Sequence, residues 1–364
     1  MKNISIIVPF HSNKRLLDIC LSTLTVTTPD EVEIIVVLNN ADSRQIDFEI
    51  KHPRIRVERE CANLGYSKAI NLGVKRAKGD FLVFCDSDTF LKKHWLEALY
   101  KLHNSSRKIG LTSCKLIDPN SDRVTDYGMG LTKYNNAHPF KDRRIDHPLT
   151  CVDRRVQMAC SACMMISRDV FERVGGMDTE LYNFYQDTDL CLRVNEAGLE
   201  CWIAADAMAY HRGDSAQTNR SPYRADVKGW YVAKNAHRMS VDMEKYYQES
   251  YRFLAGRTDL DNRYLWVDLS SVADRDWHRE VVGQVLPIIS PCEVPAKERD
   301  EKAIELITQL DGGLLETQNP IIYFVDRFIA LQGNALWKRL RRHSGDIVVD
   351  RNANIEMLNL VDRN

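Results

Sequence analysis

Two carboxylates stand one residue apart at Asp86 and Asp88, at the end of the stretch Gly79-Asp-Phe-Leu-Val-Phe-Cys-Asp-Ser-Asp88. Five apolar residues, Phe81 to Cys85, run directly into them. Along an extended chain, residues two apart point the same way, so both carboxylates can face one point. A shared divalent cation at that point removes the like-charge penalty, and an all-oxygen pair suits Mg2+ or Mn2+. Asp-Ser-Asp is equally at home in a solvated turn, and the stretch alone does not separate the two readings.

The elements around the pair narrow its setting. Ile4–Val8 is a β-branched run closed by Pro9, and Leu16, Leu17, Cys20, Leu21 and Leu24 follow at helical spacing. Val32–Leu38 is a second β run, ended by Asn39-Asn40, and Ile55–Val57 is a short third. Over residues 65–78, Ala69, Ile70, Gly73, Val74 and Ala77 share one helical face, and Gly79 stops the helix. Phe81–Cys85 is the fourth strand. Such alternation predicts βαβ units in an α/β fold with a mostly parallel central sheet. Strands covered on both faces read as unbroken apolar runs, as the first, second and fourth do. Asp86 and Asp88 then stand at the carboxyl end of a central strand, where open α/β sheets bind ligands. Asn63, Gly65 and Lys68 open the following helix, whose N-terminus suits a phosphate or ribose; an ordinary glycine cap reads the same way.

Further along, residues 105–150 read as polar and irregular. Ala159–Ser167 is an expected strand, Arg168–Val174 a short helix ended by Gly175-Gly176, and 187–197 an amphipathic helix with Gly198 as terminator. Cys201–Ala205 is an expected strand, Tyr210–Gly213 a loop, and 224–254 a long helix. A second, smaller unit is expected over 255–364: a strand at 263–270, then helices at 274–286, 297–310 and 321–342.

Composition bounds the function. The 364 residues carry a net charge of −1, with 44% hydrophobic and 28% charged residues, as in an ordinary globular protein. No basic field points to nucleic acid, and no G-x-G-x-x-G follows a strand as a dehydrogenase would need. The opening MKNISIIVPF has no signal-peptide pattern and no apolar run is long enough to span a bilayer. A cytoplasmic setting is therefore expected, in which most of the ten cysteines, Cys160 and Cys163 among them, act as small buried hydrophobes. The cluster Trp337–His343 could lay a basic helix on the inner membrane face, or be a solvated face of the second unit.

Six fragments occur in order: VPF at 8–10, NLGYSKAINLG at 63–73, GDFLVFCDSD at 79–88, VGGMD at 174–178, QDTDLCLR at 186–193 and HRGDS at 211–215. Together they resemble glycosyltransferase family 2, the inverting transferases with a GT-A fold, and most of all its rhamnosyltransferase-like sequences. The resemblance covers about residues 3–240. It implies a nucleotide-sugar donor (UDP-, dTDP- or GDP-linked), a glycan or lipid-linked glycan acceptor, and Mn2+ or Mg2+. It makes Asp86 and Asp88 the metal-binding pair, with Asp86 also near the ribose, and His211 a further metal or diphosphate contact. Asp187 becomes the catalytic base, Pro9 and Phe10 the nucleobase contacts, and Asn39 the residue at the base-reading position. There, and at Gln186, the family more often has aspartate and glutamate. These departures leave a second reading standing, a degenerate domain that binds without catalysing. A nucleotidyltransferase would need a glycine-rich loop after the first strand, and VPFHSNKRL has none.

Overall fold

The structure is a computed structural model. It describes residues 3–213 apart from 40–48, 132–135 and 142, then 224–242 with 245, 246 and 249, and four later strands at 265–268, 321–325, 347–350 and 355–357.

The chain divides into two compact units, residues 1–241 and 242–364. The first closes before the boundary expected at 254. Its elements run β1 (Ile4–Phe10), α1 (Lys14–Thr27), β2 (Glu33–Asn39), β3 (Ile55–Glu60), α2 (Tyr66–Arg76), β4 (Phe81–Cys85), β5 (Thr89–Leu91) and α3 (Trp95–His103). There follow β6 (Ile109–Ile117), β7 (Val124–Asp126), β8 (Gly130–Leu131), β9 (Asn136–Ala137), β10 (Arg154–Val156), β11 (Cys163–Ser167), α4 (Arg168–Arg173), α5 (Gln186–Glu196), β12 (Glu200–His211) and α6 (Arg224–Asn235).

One sheet organises this unit, in the order β10-β12-β6-β11-β4-β1-β2-β3. Strands β4, β1, β2 and β3 are parallel, as the βαβ alternation predicts. Strand β11 then inserts antiparallel between β4 and β6, and β12 runs parallel to β6. The sheet is thus mixed, with β4 at the point where its direction changes. Helix α1 buries Leu16, Leu17, Cys20, Leu21 and Leu24, and Asn13 caps it by accepting the Leu16 N–H. Helix α2 comes so close to β1 that a Cβ on Gly73 would sit 2.4 Å from Ile7.

Several expectations change. Within the stretch expected to be irregular, β6 is a nine-residue strand buried along its whole length. Tyr210 and His211 end β12 rather than lying in a loop, because β12 bulges between Ala204 and Met208 and continues to pair. The strand expected from Ala159 starts only at Cys163, so Cys160 precedes it and is half-buried. Helix α6 stops at Asn235, where a 3-10 turn (Ala236–Arg238) interrupts the expected long helix, and the described residues 245, 246 and 249 are helical again.

In the second unit, the described residues form a four-stranded sheet, β13 (Leu265–Asp268), β14 (Ile321–Val325), β15 (Ile347–Asp350) and β16 (Ile355–Met357). The first three are parallel and β16 is antiparallel to β15. Strand β13 falls inside the expected 263–270. Ile321–Val325 is a strand where a helix was expected: Ile, Ile, Tyr, Phe and Val suit a pleated, half-buried surface better than a helix. The helices expected at 274–286 and 297–310, the rest of 321–342 and the basic cluster at 337–343 lie outside the described residues.

Candidate active site

The end of β4 carries Asp86 and Asp88 into a cleft of about 350 Å³. Ala162, just before β11, accepts the Asp86 N–H at 2.9 Å, and the Asp86 carbonyl accepts the Thr89 N–H at 3.0 Å. The turn is therefore held on both sides. Strand β5 leaves it and pairs antiparallel with the last residues of β12, setting Thr89 opposite His211. This pairing brings a residue 123 positions along the chain from Asp88 beside it. His211 Nε2 lies 3.4 Å from Asp88 Oδ1 and 3.7 Å from Asp86 Oδ2.

Ligand atoms of Asp86, Asp88 and His211 all lie within 4.8 Å of one another. Metal–oxygen bonds of about 2.1 Å place neighbouring ligand atoms roughly 3 Å apart, so the three groups need only a small adjustment to share an ion. Asp86 Oδ1 is buried with no hydrogen-bond partner among the described residues, an unmet acceptor that a cation would satisfy. Burial is the main reason the Asp86 carboxyl is pushed up to about 6; the His211 charge pulls it down and Asp88 pushes it further up. Burial lowers the His211 imidazole, but its hydrogen bond to Asp88 and the charges of Asp88 and Asp86 outweigh that, so the net direction is up. A donor set of two carboxylates and one imidazole fits a divalent cation.

Asp187 lines the same cleft. It stands in the first turn of α5, which begins after Tyr185 with a left-handed φ of 62°. Its Oδ1 accepts the Thr188 N–H at 2.8 Å and its Oδ2 the Ser161 N–H at 3.4 Å. Burial raises its pKa above the usual carboxylate range, against these two N–H donors. Asp189 does a different job. Fully buried, it pairs with Arg193, whose Nε donates at 2.8 Å, and accepts from Asn235 Nδ2 at 3.0 Å. Arg193 in turn donates to the carbonyls of Val174 and Gly176. Tyr231 stacks on Tyr185 at 4.6 Å, so α6 packs against the start of α5. The pair Asp189–Arg193 thus fixes the helix that presents Asp187.

Pro9, Phe10, Asn39, Asn63 and Gly65 also line the cleft. Lys68 is exposed and is not among the lining residues. Asn39 is committed to the protein itself. Its Oδ1 accepts the Leu64 N–H at 2.7 Å, and its Nδ2 donates to Asn63 Oδ1 at 3.0 Å and to the Gly65 carbonyl at 3.3 Å. Asn63 Oδ1 also accepts the Gly65 N–H. At Gly65, φ is +79° and a Cβ would stand 2.5 Å from Tyr182, a contact that only glycine permits. Sequence reasoning passed over Tyr66, Cys160, Ser161 and Tyr182 as cleft residues. Tyr182 and its neighbours sit in an irregular segment without periodicity, and only their place just before Asp187 could have flagged them.

The model of glycosyl transferase family 2 matches residues 5–175. The O-antigen biosynthesis protein RfbC of Myxococcus xanthus is 27% identical in an alignment that covers 63% of this chain and 19% of that protein. The uncharacterized glycosyltransferase EpsJ of Bacillus subtilis is 22% identical over 85% of this chain and 84% of its own. The low-salt glycan biosynthesis hexosyltransferase Agl10 of Haloferax volcanii is 25% identical over 58% and 70%. Among solved structures, GalNAc-T7 with UDP, GalNAc and Mn2+ superposes with a TM-score of 0.51 at 16% identity, over 71% of this chain and 52% of that one. The mixed sheet with helices on its faces is therefore a GT-A-like fold. The matching segment, residues 5–175, thus belongs to glycosyl transferase family 2, and the relatives that extend the match include glycosyltransferases.

Proposed function

We propose that the first unit is an inverting, metal-dependent glycosyltransferase that moves a sugar from a nucleotide-diphosphate donor to a hydroxyl of a glycan or lipid-linked glycan. One observation carries the reading: the Asp86–Asp88–His211 cluster and Asp187 line a single cleft at the end of β4. Single displacement needs two functions in one site, relief of charge on a leaving diphosphate and removal of a proton from the attacking hydroxyl.

Asp86, Asp88 and His211 would hold the divalent cation, Mn2+ or Mg2+. Bound there, it supplies positive charge against the diphosphate. Asp187 takes the proton of the acceptor hydroxyl. Its two backbone N–H donors hold the carboxylate in place, and its raised pKa makes it a stronger base than an exposed carboxylate. Pro9, Phe10 and the loop 63–65 bound the nucleoside end, with Asn39 bracing that loop. The Mn2+ and UDP in the GalNAc-T7 structure and the hexosyltransferase name of Agl10 accord with this chemistry.

A thermal-shift series with UDP, GDP, dTDP and CMP, each with and without Mn2+ or Mg2+, tests it. Binding to the folded state alone stabilises by about 2.7 kcal/mol at a hundredfold excess of ligand over Kd. One nucleotide should raise the melt only with metal, and His211→Ala should remove that dependence. A flat series with every nucleotide would favour the non-catalytic reading.

A further inference from the structure

Gln186 opens α5 directly before Asp187 and lines the same cleft. Its side chain is nine-tenths buried, at 9% exposure. Its Oε1 is buried and meets no hydrogen-bond partner among the described residues. Burying an amide oxygen unpaired is unfavourable, so a role must be found that needs the amide.

Packing does not need it, since methionine has the same length and no polar group to leave unmet. Relief of charge beside Asp187 does not need it either: a glutamate would add a second carboxylate next to one already raised by burial, but any neutral side chain avoids that. What requires an amide is a ligand that both gives and takes a hydrogen bond. Glutamine offers a donor and an acceptor on one group, where an ionised glutamate only accepts. Two neighbouring hydroxyls of a sugar match that pair. The position directly precedes Asp187, the group assigned to the acceptor's proton.

We propose that Gln186 is the specificity-determining residue for the acceptor: its side-chain amide binds a hydroxyl next to the attacking one, which selects a sugar with vicinal hydroxyls. This rests on the transferase reading above.

The test compares wild type with Gln186→Met and Gln186→Glu. UDP-glucose, GDP-mannose and dTDP-rhamnose serve as donor probes, and octyl glucoside, galactoside and rhamnoside as acceptor probes. Gln186→Met should melt no lower than wild type, because the change removes a buried amide oxygen that meets no partner among the described residues. It should keep metal-dependent nucleotide binding and hydrolysis of the donor by water within twofold. Transfer to the octyl glycoside should fall at least tenfold, with the loss in acceptor KM, and Gln186→Glu should restore only part of it. Wild-type transfer by Gln186→Met overturns the proposal. So does an equal loss of hydrolysis and transfer, which would put the amide on the donor sugar, and so does a lowered melt, which would make its role structural. Failure of the transferase reading is distinct: wild type itself would then show no metal-dependent nucleotide shift, and the proposal would fall with it.

Discussion

Asn39 donates its side-chain amide to Asn63 Oδ1 at 3.0 Å while accepting the Leu64 N–H at 2.7 Å, so one buried side chain fixes the loop between β3 and α2. The direction of both bonds is settled by the backbone, since Leu64 N can only donate and the Gly65 carbonyl can only accept. The aspartate more usual at this position could not donate to Asn63 or Gly65 while ionised. Asparagine here is part of the scaffold of the nucleoside wall, and its polar atoms are already engaged.

Asn39→Asp is expected to destabilise the protein by at least about 1–3 kcal/mol, the cost of leaving buried acceptors unmet. The new carboxyl would face two carbonyl oxygens, so its pKa would rise in the folded state. A raised carboxyl pKa means stability is present while the acid is protonated and lost as pH rises through the folded value. Urea melts of the variant should therefore lie furthest below wild type at neutral pH and approach it near pH 4. A deficit that does not change with pH would contradict the bracing role.

Asp187 permits a similar sign argument with the opposite experiment. Its folded pKa is raised, chiefly by burial. Keeping it ionised therefore weakens the native state at any pH above that raised value, and the penalty vanishes once both states are protonated. Asp187→Asn should melt higher than wild type at pH 7 and converge with it at acid pH. Transfer should be abolished in the same variant while nucleotide binding with metal persists. The acid limb of the wild-type rate profile should lie above the ordinary carboxylate range. A variant that transfers at the wild-type rate would remove Asp187 from the role of base.

The parallel part of the sheet, β4-β1-β2, was legible because its strands are covered on both faces and contain little else than apolar residues. Ile4–Val8, Val32–Leu38 and Phe81–Cys85 stand out as runs, and the helices between them keep clean faces. Strand β6 was not legible, although it is equally buried, because Thr112, Ser113 and Lys115 interrupt it. Two of these side chains are accommodated by distant segments: Ser113 Oγ donates to the Cys160 and Cys163 carbonyls, and Lys115 Nζ to those of Ile145 and Thr150. Local patterning cannot announce partners 30 or more residues away. His211 was readable as a site residue but not as part of a strand, since its pairing with Thr89 depends on the bulge in β12. The departure at Asn39 was visible, yet its consequence was not, because the Leu64 and Gly65 backbone groups it engages carry no sequence signature.

The last prediction concerns what holds the base in place. Asp189 is fully buried, paired with Arg193 and bonded to Asn235, while Arg193 spans from α5 to the carbonyls after α4. Removing one partner of a buried pair strands the other charge, at a cost of about 3–5 kcal/mol. Asp189→Ala should therefore lower stability by about that amount in chemical denaturation, far more than loss of the exposed pair Lys14–Asp18, where about 0–1 kcal/mol is expected. Replacing both partners together, Asp189→Leu with Arg193→Met, should recover a good part of the loss, because no charge is then left unpaired. If the pair acts by positioning α5, the double variant should regain stability without regaining full transfer. Asn235 and the carbonyls of Val174 and Gly176 would lose their charged partners, and α5, which carries Asp187, would lose those ties. Equal recovery of both properties would show that any well-packed pair suffices.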